Sequence, residues 1–249
     1  MYLFCLSYAG GSANIYHKWK GKSESIKVVP IELAGHGSRI REHLCCDFEV
    51  IVSDVYNKIV DTIKKEHIRE YAVYGHSMGC WITFEVAKMI FSDGQIPKPV
   101  RLFFSGNCVP ECSDYDVDPY RISEKDFRKM IIDYGGVPDA IRSHPEILDF
   151  FMPVIKSDYY ALASYRQNYQ NRKTDFRFDC DISVLNGVYD EFNENSMKAW
   201  ENYAGRNFCI HNFNDGHFFI NSMNEEVFSS VCFDLAESIS GGKKYALHH

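Results

Sequence analysis

The sequence has no long apolar run and no excess of positive charge. No segment approaches the roughly 18 consecutive apolar residues that a membrane-spanning helix needs, so we expect no membrane segment. Lysine and arginine number 27 against 34 acidic residues, which gives a formal net charge of -7. This balance argues against a nucleic-acid-binding protein, because such proteins present a basic surface. The first residues carry no basic segment, so we expect no signal peptide.

Cysteine spacings typical of disulfide frameworks or metal sites are also missing. Of the nine cysteines, Cys45 and Cys46 are adjacent, and Cys108 and Cys112 lie four apart without paired histidines nearby. This usage is typical of reduced, mostly buried thiols in a cytosolic protein. We therefore expect a cytoplasmic protein without a metal site. The length of 249 residues and the 45% hydrophobic content suit a globular protein with one large domain or a domain with an insertion.

Strand and helix patterns alternate along most of the chain. Alternation of this kind predicts an α/β fold with a mainly parallel sheet and helices on both faces. Strand patterns cover residues 2–7, 26–33, 71–74, 100–105, 182–185 and 208–213. Helical patterns cover residues 13–19, 48–65, 80–90, 195–203 and 224–238.

The stretch of residues 110–179 breaks this alternation. It contains helical patterns at residues 123–132 and 145–169, and the second is rich in aromatic side chains. We predict a helical lid there, inserted into an α/β core formed by the two flanking parts of the chain. The lid aromatics either pack on the core or line an acyl pocket. The predicted core covers residues 1–109 and 180–242, and we expect residues 243–249 to be a disordered tail.

A serine lies in the pentapeptide Gly75-His76-Ser77-Met78-Gly79, between a strand pattern and a helix pattern. At such a turn the serine is held on a strained elbow, and its hydroxyl projects from the carboxyl edge of a parallel sheet. The flanking glycines are needed where strand and helix approach too closely for a Cβ atom. We therefore predict that Ser77 is a nucleophile rather than part of a structural turn.

A nucleophilic serine needs a base, and the base needs a carboxylate that orients it. His217 follows the strand pattern at residues 208–213, where the last loop of the sheet would deliver an imidazole to the serine. Asp190 follows the strand pattern at residues 182–185. The chain order Ser77, Asp190, His217 is the order expected of this architecture.

Three neighbouring residues are weaker candidates for these roles. His36 lies in another loop at the same edge of the sheet and is the reserve base. His76 adjoins Ser77 but cannot readily turn its ring back toward that hydroxyl, so we expect a structural role. Glu191 is adjacent to Asp190, but the loop reaches Asp190 first, which favours Asp190.

Acyl transfer also needs two N–H donors for the oxyanion. We expect one from the backbone of Met78, which follows the nucleophile at a helix N-terminus. The other should come from the glycine-containing loop after the first strand, residues 7–12, and there we expect the N–H of Ala9. An ordinary glycine turn is the alternative interpretation of that loop.

Five motifs occur together along the chain. They are Leu3-Phe4-Cys5 leading into Ala9-Gly10-Gly11-Ser12, Gly75-His76-Ser77-Met78-Gly79, Ile122-Ser123-Glu124-Lys125-Asp126-Phe127, Gly135-Gly136-Val137-Pro138 and Gly216-His217-Phe218-Phe219. Together they resemble the motifs of type II thioesterases, the stand-alone thioesterases of nonribosomal peptide and polyketide synthesis, which are related to the medium-chain thioesterase of fatty-acid synthesis. The resemblance covers nearly the whole chain, including the lid. Two departures lie at the pocket rim, where the family often has Pro-His instead of Ser7-Tyr8 and Leu-Pro-Gly-Arg instead of residues 33–36.

The resemblance implies an α/β-hydrolase fold with a mobile lid and a triad of Ser77, Asp190 and His217, with Ala9 and Met78 as oxyanion donors. It also implies hydrolysis of acyl groups from the phosphopantetheine thiol of an acyl or peptidyl carrier protein, with no cofactor. We expect a monomer.

Carrier proteins are usually acidic, so docking would need a local basic patch. Candidates in the lid are Arg121, Lys125, Arg128 and Lys129, although a solvated helix face is the preferred interpretation of these residues. Two other functions stay open. A carboxylesterase or lipase would have the same triad, and a non-catalytic hydrolase-fold binding protein would share the fold.

Overall fold

The computed structural model describes residues 1–94, 96–112, 119–137, 142–169 and 176–245, and of residues 112 and 241–245 the backbone alone. A six-stranded sheet forms the centre of the molecule, and all neighbouring strands in it are parallel. Its strands are β1 (Tyr2–Leu6), β2 (Lys27–Pro30), β3 (Tyr71–His76), β4 (Arg101–Ser105), β5 (Asp181–Gly187) and β6 (Phe208–Phe213). They lie in the order β2-β1-β3-β4-β5-β6. The predicted parallel α/β fold is confirmed.

Helices connect and cover these strands. The α-helices are α1 (Phe48–Glu66), α2 (Met78–Asp93), α3 (Glu124–Asp133), α4 (Pro145–Tyr169), α5 (Glu194–Lys198), α6 (Phe219–Ser222) and α7 (Asn224–Tyr245). Short 3-10 helices cover Ala13–Trp19, Gly37–Arg39, Pro110–Cys112 and Ala199–Tyr203. No helix in the described ranges is both long enough and apolar enough to cross a membrane.

The bounds of α1 follow from its sequence. The carboxylate of Asp47 caps the helix by accepting hydrogen bonds from the N–H groups of Glu49 and Val50. At the other end, His67 takes a left-handed φ of 52° and terminates the helix after Glu66. Between these ends, buried apolar residues recur at helical spacing and turn one face toward the sheet: Ile51, Val55, Ile59 and Ile63.

The sheet is buried on both faces, and the side chains of its central strands alternate between two cores. Phe4 and Val73 belong to the core beneath α1 and α2, whereas Leu3 and Tyr74 belong to the core beneath α7. Residues from successive positions on one strand therefore enter different cores, as the two-residue period of a strand requires. Burial on both faces explains why the central strands are almost wholly apolar.

The helices α3 and α4 lie between β4 and β5 in the chain, in the segment predicted to be a lid. Ser123 caps α3 by accepting a hydrogen bond from the N–H of Asp126. A small hydrophobic cluster joins the two helices, and α4 also packs on the main core, where Tyr165 stacks on Phe48 at 4.2 Å between ring centroids. The cluster contains Phe127, Ile131, Val137, Leu148, Met152, Ile155 and Tyr159.

Two predicted elements differ from the structure. The helix expected over residues 195–203 is divided into α5 and a 3-10 helix, Ala199–Tyr203, in which Trp200 and Tyr203 are buried. The last helix continues to Tyr245, so residues 243–245 are not the disordered tail that the sequence predicted. Extension of an existing helix closes one hydrogen bond for each residue it fixes, which permits this continuation. Residues 246–249 of the predicted tail lie outside the described residues.

Candidate active site

Ser77 occupies a strained turn between β3 and α2. Its φ of 55° and ψ of −115° form a backbone conformation that non-glycine residues rarely adopt. Two contacts fix this turn: the Ser77 N–H donates to the Ser105 carbonyl at 2.8 Å, and the Asn107 side chain donates to the Ser77 carbonyl at 3.1 Å. The surrounding structure therefore holds the hydroxyl at the carboxyl edge of the sheet.

The glycines around this turn allow strand and helix to approach each other. A Cβ at Gly75 would collide with the backbone of Gly79, and a Cβ at Gly79 would lie 2.6 Å from the carbonyl oxygen of Leu6. Both positions are too crowded for any side chain. The steric role expected of these glycines is confirmed.

Ser77, His217 and Asp190 meet in one hydrogen-bonded row. His217 Nε2 lies 2.9 Å from the Ser77 hydroxyl, and His217 Nδ1 lies 2.8 Å from a carboxylate oxygen of Asp190. Because the carboxylate can only accept, Nδ1 carries the proton and Nε2 is free to accept from the serine. Only 7% of His217 is exposed. The arrangement can move a proton from the Ser77 hydroxyl to the imidazole.

The loops after β5 and β6 deliver the two partners of Ser77. Asp190 lies three residues beyond the end of β5, in a turn where its N–H donates to the carbonyl of Gly187 at 3.1 Å. His217 follows β6, which pairs with β5, so both loops emerge at the same edge of the sheet. The adjacent Glu191 instead accepts a hydrogen bond from Tyr134 at 2.8 Å. The structure therefore places Asp190, and not Glu191, against the imidazole.

The N–H groups of Ala9 and Met78 are available beside Ser77. Met78 is the first residue of α2, and Ala9 lies in the loop after β1 and borders the same cavities as Ser77. Among the hydrogen bonds of the described residues, neither N–H group donates to a protein acceptor. An oxyanion formed at a carbonyl that Ser77 attacks could accept from both groups.

The two other histidines considered from the sequence have different surroundings. His76 is fully buried, and its Nδ1 lies 2.8 Å from the Ser105 hydroxyl. Burial lowers the pKa of His76 well below its ordinary value, which keeps the ring neutral. His36, the reserve base, contacts Asp158 at 2.9 Å and does not contact Ser77. The structure therefore does not support His36 as the reserve base, because the carboxylate of Asp158 on α4 holds its ring while His217 contacts Ser77.

Two cavities, of about 70 Å³ and 40 Å³, adjoin Ser77 and His217. Both are bordered by Ala9, Tyr134 and Tyr159, so two aromatic side chains of the segment between β4 and β5 lie between the cavities beside Ser77. The further walls of the larger cavity include the apolar residues Ile131, Val137, Ile155 and Phe218. The further walls of the smaller cavity include Trp81 and Leu162 together with the polar residues Asn107 and Glu191.

The sequence analysis missed the role of Tyr134 in this site. Its ring lies 4.9 Å from the ring of His217 and 5.7 Å from that of Phe218. A Cβ at Gly136 would collide with Phe218, so the lid turn after α3 packs directly on the His217 loop. The pair Gly135-Gly136 marks that turn in the sequence, although nothing in the sequence shows what it contacts.

A different group of potential metal ligands lies between β6 and α7. The ligand atoms of Cys209, His211 and Asp234 lie within 4.8 Å of one another. However, the guanidinium of Arg101 lies 3.6 Å from Cys209 Sγ and 3.8 Å from Asp234 Oδ2, and its charge opposes a metal cation there. His211 also donates to Asp234 at 2.8 Å, a hydrogen bond that raises the pKa of His211 to about 10. We interpret this group as an ion network that stabilises the fold.

Comparisons with known proteins agree with this geometry. The family model described as Thioesterase domain matches residues 1–233. The gramicidin S biosynthesis protein GrsT of Aneurinibacillus migulanus is 28% identical over 235 residues, which cover 94% of this chain and 88% of that protein. The medium-chain S-acyl fatty acid synthase thioesterase of Homo sapiens is 25% identical over 221 residues, with coverage of 88% and 80%.

A solved structure gives the same result. ClbQ, from the colibactin NRPS/PKS pathway, is 31% identical, with a TM-score of 0.84 and coverage of 96% of this chain and 98% of that chain. Both the family match and this likeness extend over the predicted core and the lid segment. The chain therefore belongs to the Thioesterase domain family, and the expectations of an α/β-hydrolase fold and of a serine thioester hydrolase of the type II thioesterase kind are confirmed.

Proposed function

We propose that Ser77, His217 and Asp190 are the catalytic triad of this thioesterase and that Ala9 and Met78 supply its oxyanion hole. The substrate is an acyl group on the phosphopantetheine thiol of an acyl or peptidyl carrier protein. The observation that carries the proposal is the imidazole of His217, whose two nitrogens lie within hydrogen-bond distance of Ser77 and Asp190. This reaction needs no metal or cofactor.

In the first half-reaction, the Ser77 hydroxyl attacks the thioester carbonyl while His217 Nε2 accepts its proton. The carboxylate of Asp190 stabilises the imidazolium that forms. The carbonyl oxygen becomes an oxyanion that accepts hydrogen bonds from the N–H groups of Ala9 and Met78. The carbon–sulfur bond then breaks, and the thiolate receives the proton from His217. The products are an acyl ester on Ser77 and a free phosphopantetheine thiol.

The second half-reaction repeats these steps with water. His217 accepts a proton from a water molecule, and the resulting hydroxide attacks the acyl carbon on Ser77. The tetrahedral intermediate again places its oxygen on the two N–H groups. When it collapses, the proton on His217 returns to the Ser77 oxygen, and the free carboxylic acid leaves.

The two cavities suit the two halves of such a substrate. The larger cavity, with walls such as Ile131 and Ile155, can bury an apolar acyl chain. The smaller one, with Asn107 and Glu191, suits the amide groups of the phosphopantetheine arm.

Carrier docking on the lid would depend on exposed lysines. Arg128 pairs with Asp149, so its charge is already neutralised, whereas Lys125 and Lys129 are exposed on α3. We propose that these two lysines meet the acidic carrier. The enzyme would act as a monomer in the cytoplasm, where the free thiols of the described cysteines are stable.

The names of similar proteins support a proposal for the biosynthetic pathway in which this enzyme acts. GrsT belongs to gramicidin S biosynthesis, and ClbQ to a pathway described as NRPS/PKS. RedJ, a similar protein, is named as a thioesterase from the prodiginine biosynthetic pathway in Streptomyces coelicolor. We therefore propose that this enzyme removes stalled acyl groups from carrier proteins in such a pathway.

Mass spectrometry of acyl-loaded carrier proteins tests the proposal. A panel that differs in acyl chain is incubated with the wild-type enzyme and with Ser77→Ala, and simple oxygen esters are tested in parallel. We expect loss of the acyl group from carriers with the wild-type enzyme alone. A strong preference for free oxygen esters would show a carboxylesterase instead, and no turnover of either class would favour a non-catalytic binding protein.

A further inference from the structure

A buried carboxylate of the lid helix contacts the loop that carries Ala9. Asp158, on α4, is only 1% exposed, and its Oδ2 accepts a hydrogen bond from the Gly10 N–H at 2.6 Å. The same helix packs against this loop through Ile155, which a Cβ at Gly10 would strike. Because Gly10 directly follows Ala9, the contact with Asp158 restricts the peptide next to the proposed oxyanion donor.

His36 supplies the positive partner of this carboxylate. Its Nε2 lies 2.9 Å from the same Asp158 oxygen, and its Nδ1 lies 2.9 Å from the carbonyl oxygen of Ala34. A carbonyl oxygen only accepts hydrogen bonds, and an ionised carboxylate does the same. Both ring nitrogens must therefore donate, which requires the doubly protonated imidazolium.

The surroundings of His36 favour this charged form. Burial by itself lowers the pKa of His36, but the hydrogen bond and charge of Asp158, helped by the Ala34 carbonyl and Glu32, outweigh it and raise the pKa above its ordinary value.

Other charged residues line the same cavity as His36 and Asp158. Among them, Arg39 forms ion pairs with Glu42 and with Asp54 of α1, and these two carboxylates neutralise its charge. His43 is exposed at the rim of the same cavity. Of these charged residues, Asp158 is therefore the direct ion-pair partner of the His36 ring.

We propose that Asp158 is a positioning residue for the oxyanion hole and that it holds this role only while His36 is protonated. The inference rests on the proposed catalytic site, because Asp158 acts through the backbone of Ala9. A neutral imidazole keeps one N–H and cannot donate to both Ala34 and Asp158. Loss of the proton to solvent would leave the buried Asp158 charge without its counter-ion and loosen the contact between α4 and the Gly10 N–H.

The consequence for catalysis is a loss of rate at alkaline pH. The oxyanion loop is held only below the pH at which His36 deprotonates, so the rate should fall as the pH rises through that point. The alkaline limb of the rate profile therefore belongs to His36.

A fluorophosphonate probe measures this effect without a carrier protein. Its phosphorus bonds to Ser77 Oγ, fluoride leaves, His217 accepts the serine proton, and the phosphoryl oxygen occupies the oxyanion hole. We expect the labelling rate of the wild-type enzyme to fall about tenfold from its maximum as the pH becomes alkaline. This fall is smaller than the 10²–10³-fold loss of rate that follows complete removal of an oxyanion donor, because the donor is loosened and not removed. A wild-type enzyme that no fluorophosphonate labels would overturn the proposed triad, and this inference with it.

Substitutions at His36 separate charge from structure. His36→Arg keeps a positive charge at all accessible pH values, and the adjoining cavity of about 380 Å³ can accept the longer side chain. We expect this variant to label without an alkaline fall. His36→Gln and Asp158→Asn should label about tenfold more slowly at every pH, with circular dichroism used to check that both variants are folded. His43→Gln, at the rim of the same cavity, is the matched control and should keep the wild-type profile.

Two results would overturn the positioning role while leaving the triad intact. One is an alkaline fall in His36→Arg that matches the wild type. The other is labelling of folded His36→Gln and Asp158→Asn at the wild-type rate and with the wild-type profile. Alkaline destabilisation of the whole protein would affect His36→Arg and the wild type alike, so the comparison of these two isolates the effect of His36.

Discussion

The phenol of Tyr134 donates a 2.8 Å hydrogen bond to the carboxylate of Glu191. Tyr134 follows the lid helix α3, and Glu191 adjoins Asp190, so this bond joins the lid to the loop that carries the proposed triad carboxylate. The Tyr134 ring also lies 4.9 Å from the ring of His217. The segment predicted to be a lid is therefore held beside the proposed triad by a contact that can be removed without changing any of the three proposed catalytic residues.

We expect Tyr134→Phe to loosen the lid. The substitution keeps the ring against His217 and removes a hydrogen bond that contributes about 1 kcal/mol at most, since Glu191 is exposed. The KM for carriers with bulky acyl groups should fall about threefold, with kcat little changed. Steady-state kinetics on acyl carriers measure this. Tyr160→Phe, on α4, is the control, and an equal effect there would show that the Glu191 bond is not responsible.

Asp190 and Glu191 are adjacent carboxylates, but we predict that their substitution affects kcat differently. Asp190→Asn should lower kcat by about 10⁴-fold, because the amide can donate to His217 Nδ1 and favours the wrong tautomer. Glu191→Gln should leave kcat within about threefold of the wild type. The two values come from turnover of one acyl carrier under the same conditions. Equal losses in both variants would contradict the assignment of Asp190 as the orienting carboxylate.

The larger cavity should set the acyl length. Ile131→Ala enlarges its apolar wall, and we expect kcat/KM for longer chains to rise about fourfold for each newly buried methylene, from roughly 0.8 kcal/mol per group. Leu162→Ala enlarges the smaller cavity instead and should change KM without changing the preferred chain length. Competition between carriers of different acyl length measures both. If Leu162→Ala changed the preferred acyl length and Ile131→Ala did not, the roles assigned to the two cavities would have to be exchanged.

His211 should make stability depend on pH. Its pKa is raised to about 10, chiefly by the hydrogen bond to Asp234, from about 6.5 in an unfolded chain. The stabilisation is therefore complete below about pH 6.5 and is lost as pH rises through about 10. His211→Gln should lower the free energy of unfolding at neutral pH by on the order of 1 kcal/mol, because solvent screens the partly exposed ring.

Urea unfolding of the wild type and of His211→Gln, near pH 7 and above pH 10, measures this difference. The gap between the two proteins should close at the higher pH. A gap of constant size would mean that the imidazole contributes through packing, and the ionic account of the Asp234 network would be wrong.

The residues of the proposed triad could be located from the sequence because each of them follows a strand of a parallel sheet. Ser77 stands in a recognisable turn, and Asp190 and His217 follow the strand patterns that became β5 and β6. Strand ends of one parallel sheet meet at one edge, so chain order alone predicted that these residues meet.

Contacts made by the lid could not be predicted in this way. Asp158 and His36 lie 122 residues apart, and helical periodicity places Asp158 on α4 without showing which loop α4 covers. The same holds for Tyr134 on His217, since the docking of a lid depends on side-chain shapes rather than on a repeating pattern. His211 was assigned no partner from the sequence, because Asp234 faces it from a different element.

Formation of an acyl ester on Ser77 tests the central claim most directly. The wild-type enzyme is mixed with an excess of acyl carrier, quenched in acid after a fraction of one turnover, and its intact mass is measured by mass spectrometry. The account predicts an added acyl mass on Ser77 together with release of the free phosphopantetheine thiol. Hydrolysis of the carrier without any acylated enzyme, or an added mass that persists in Ser77→Ala, would contradict it.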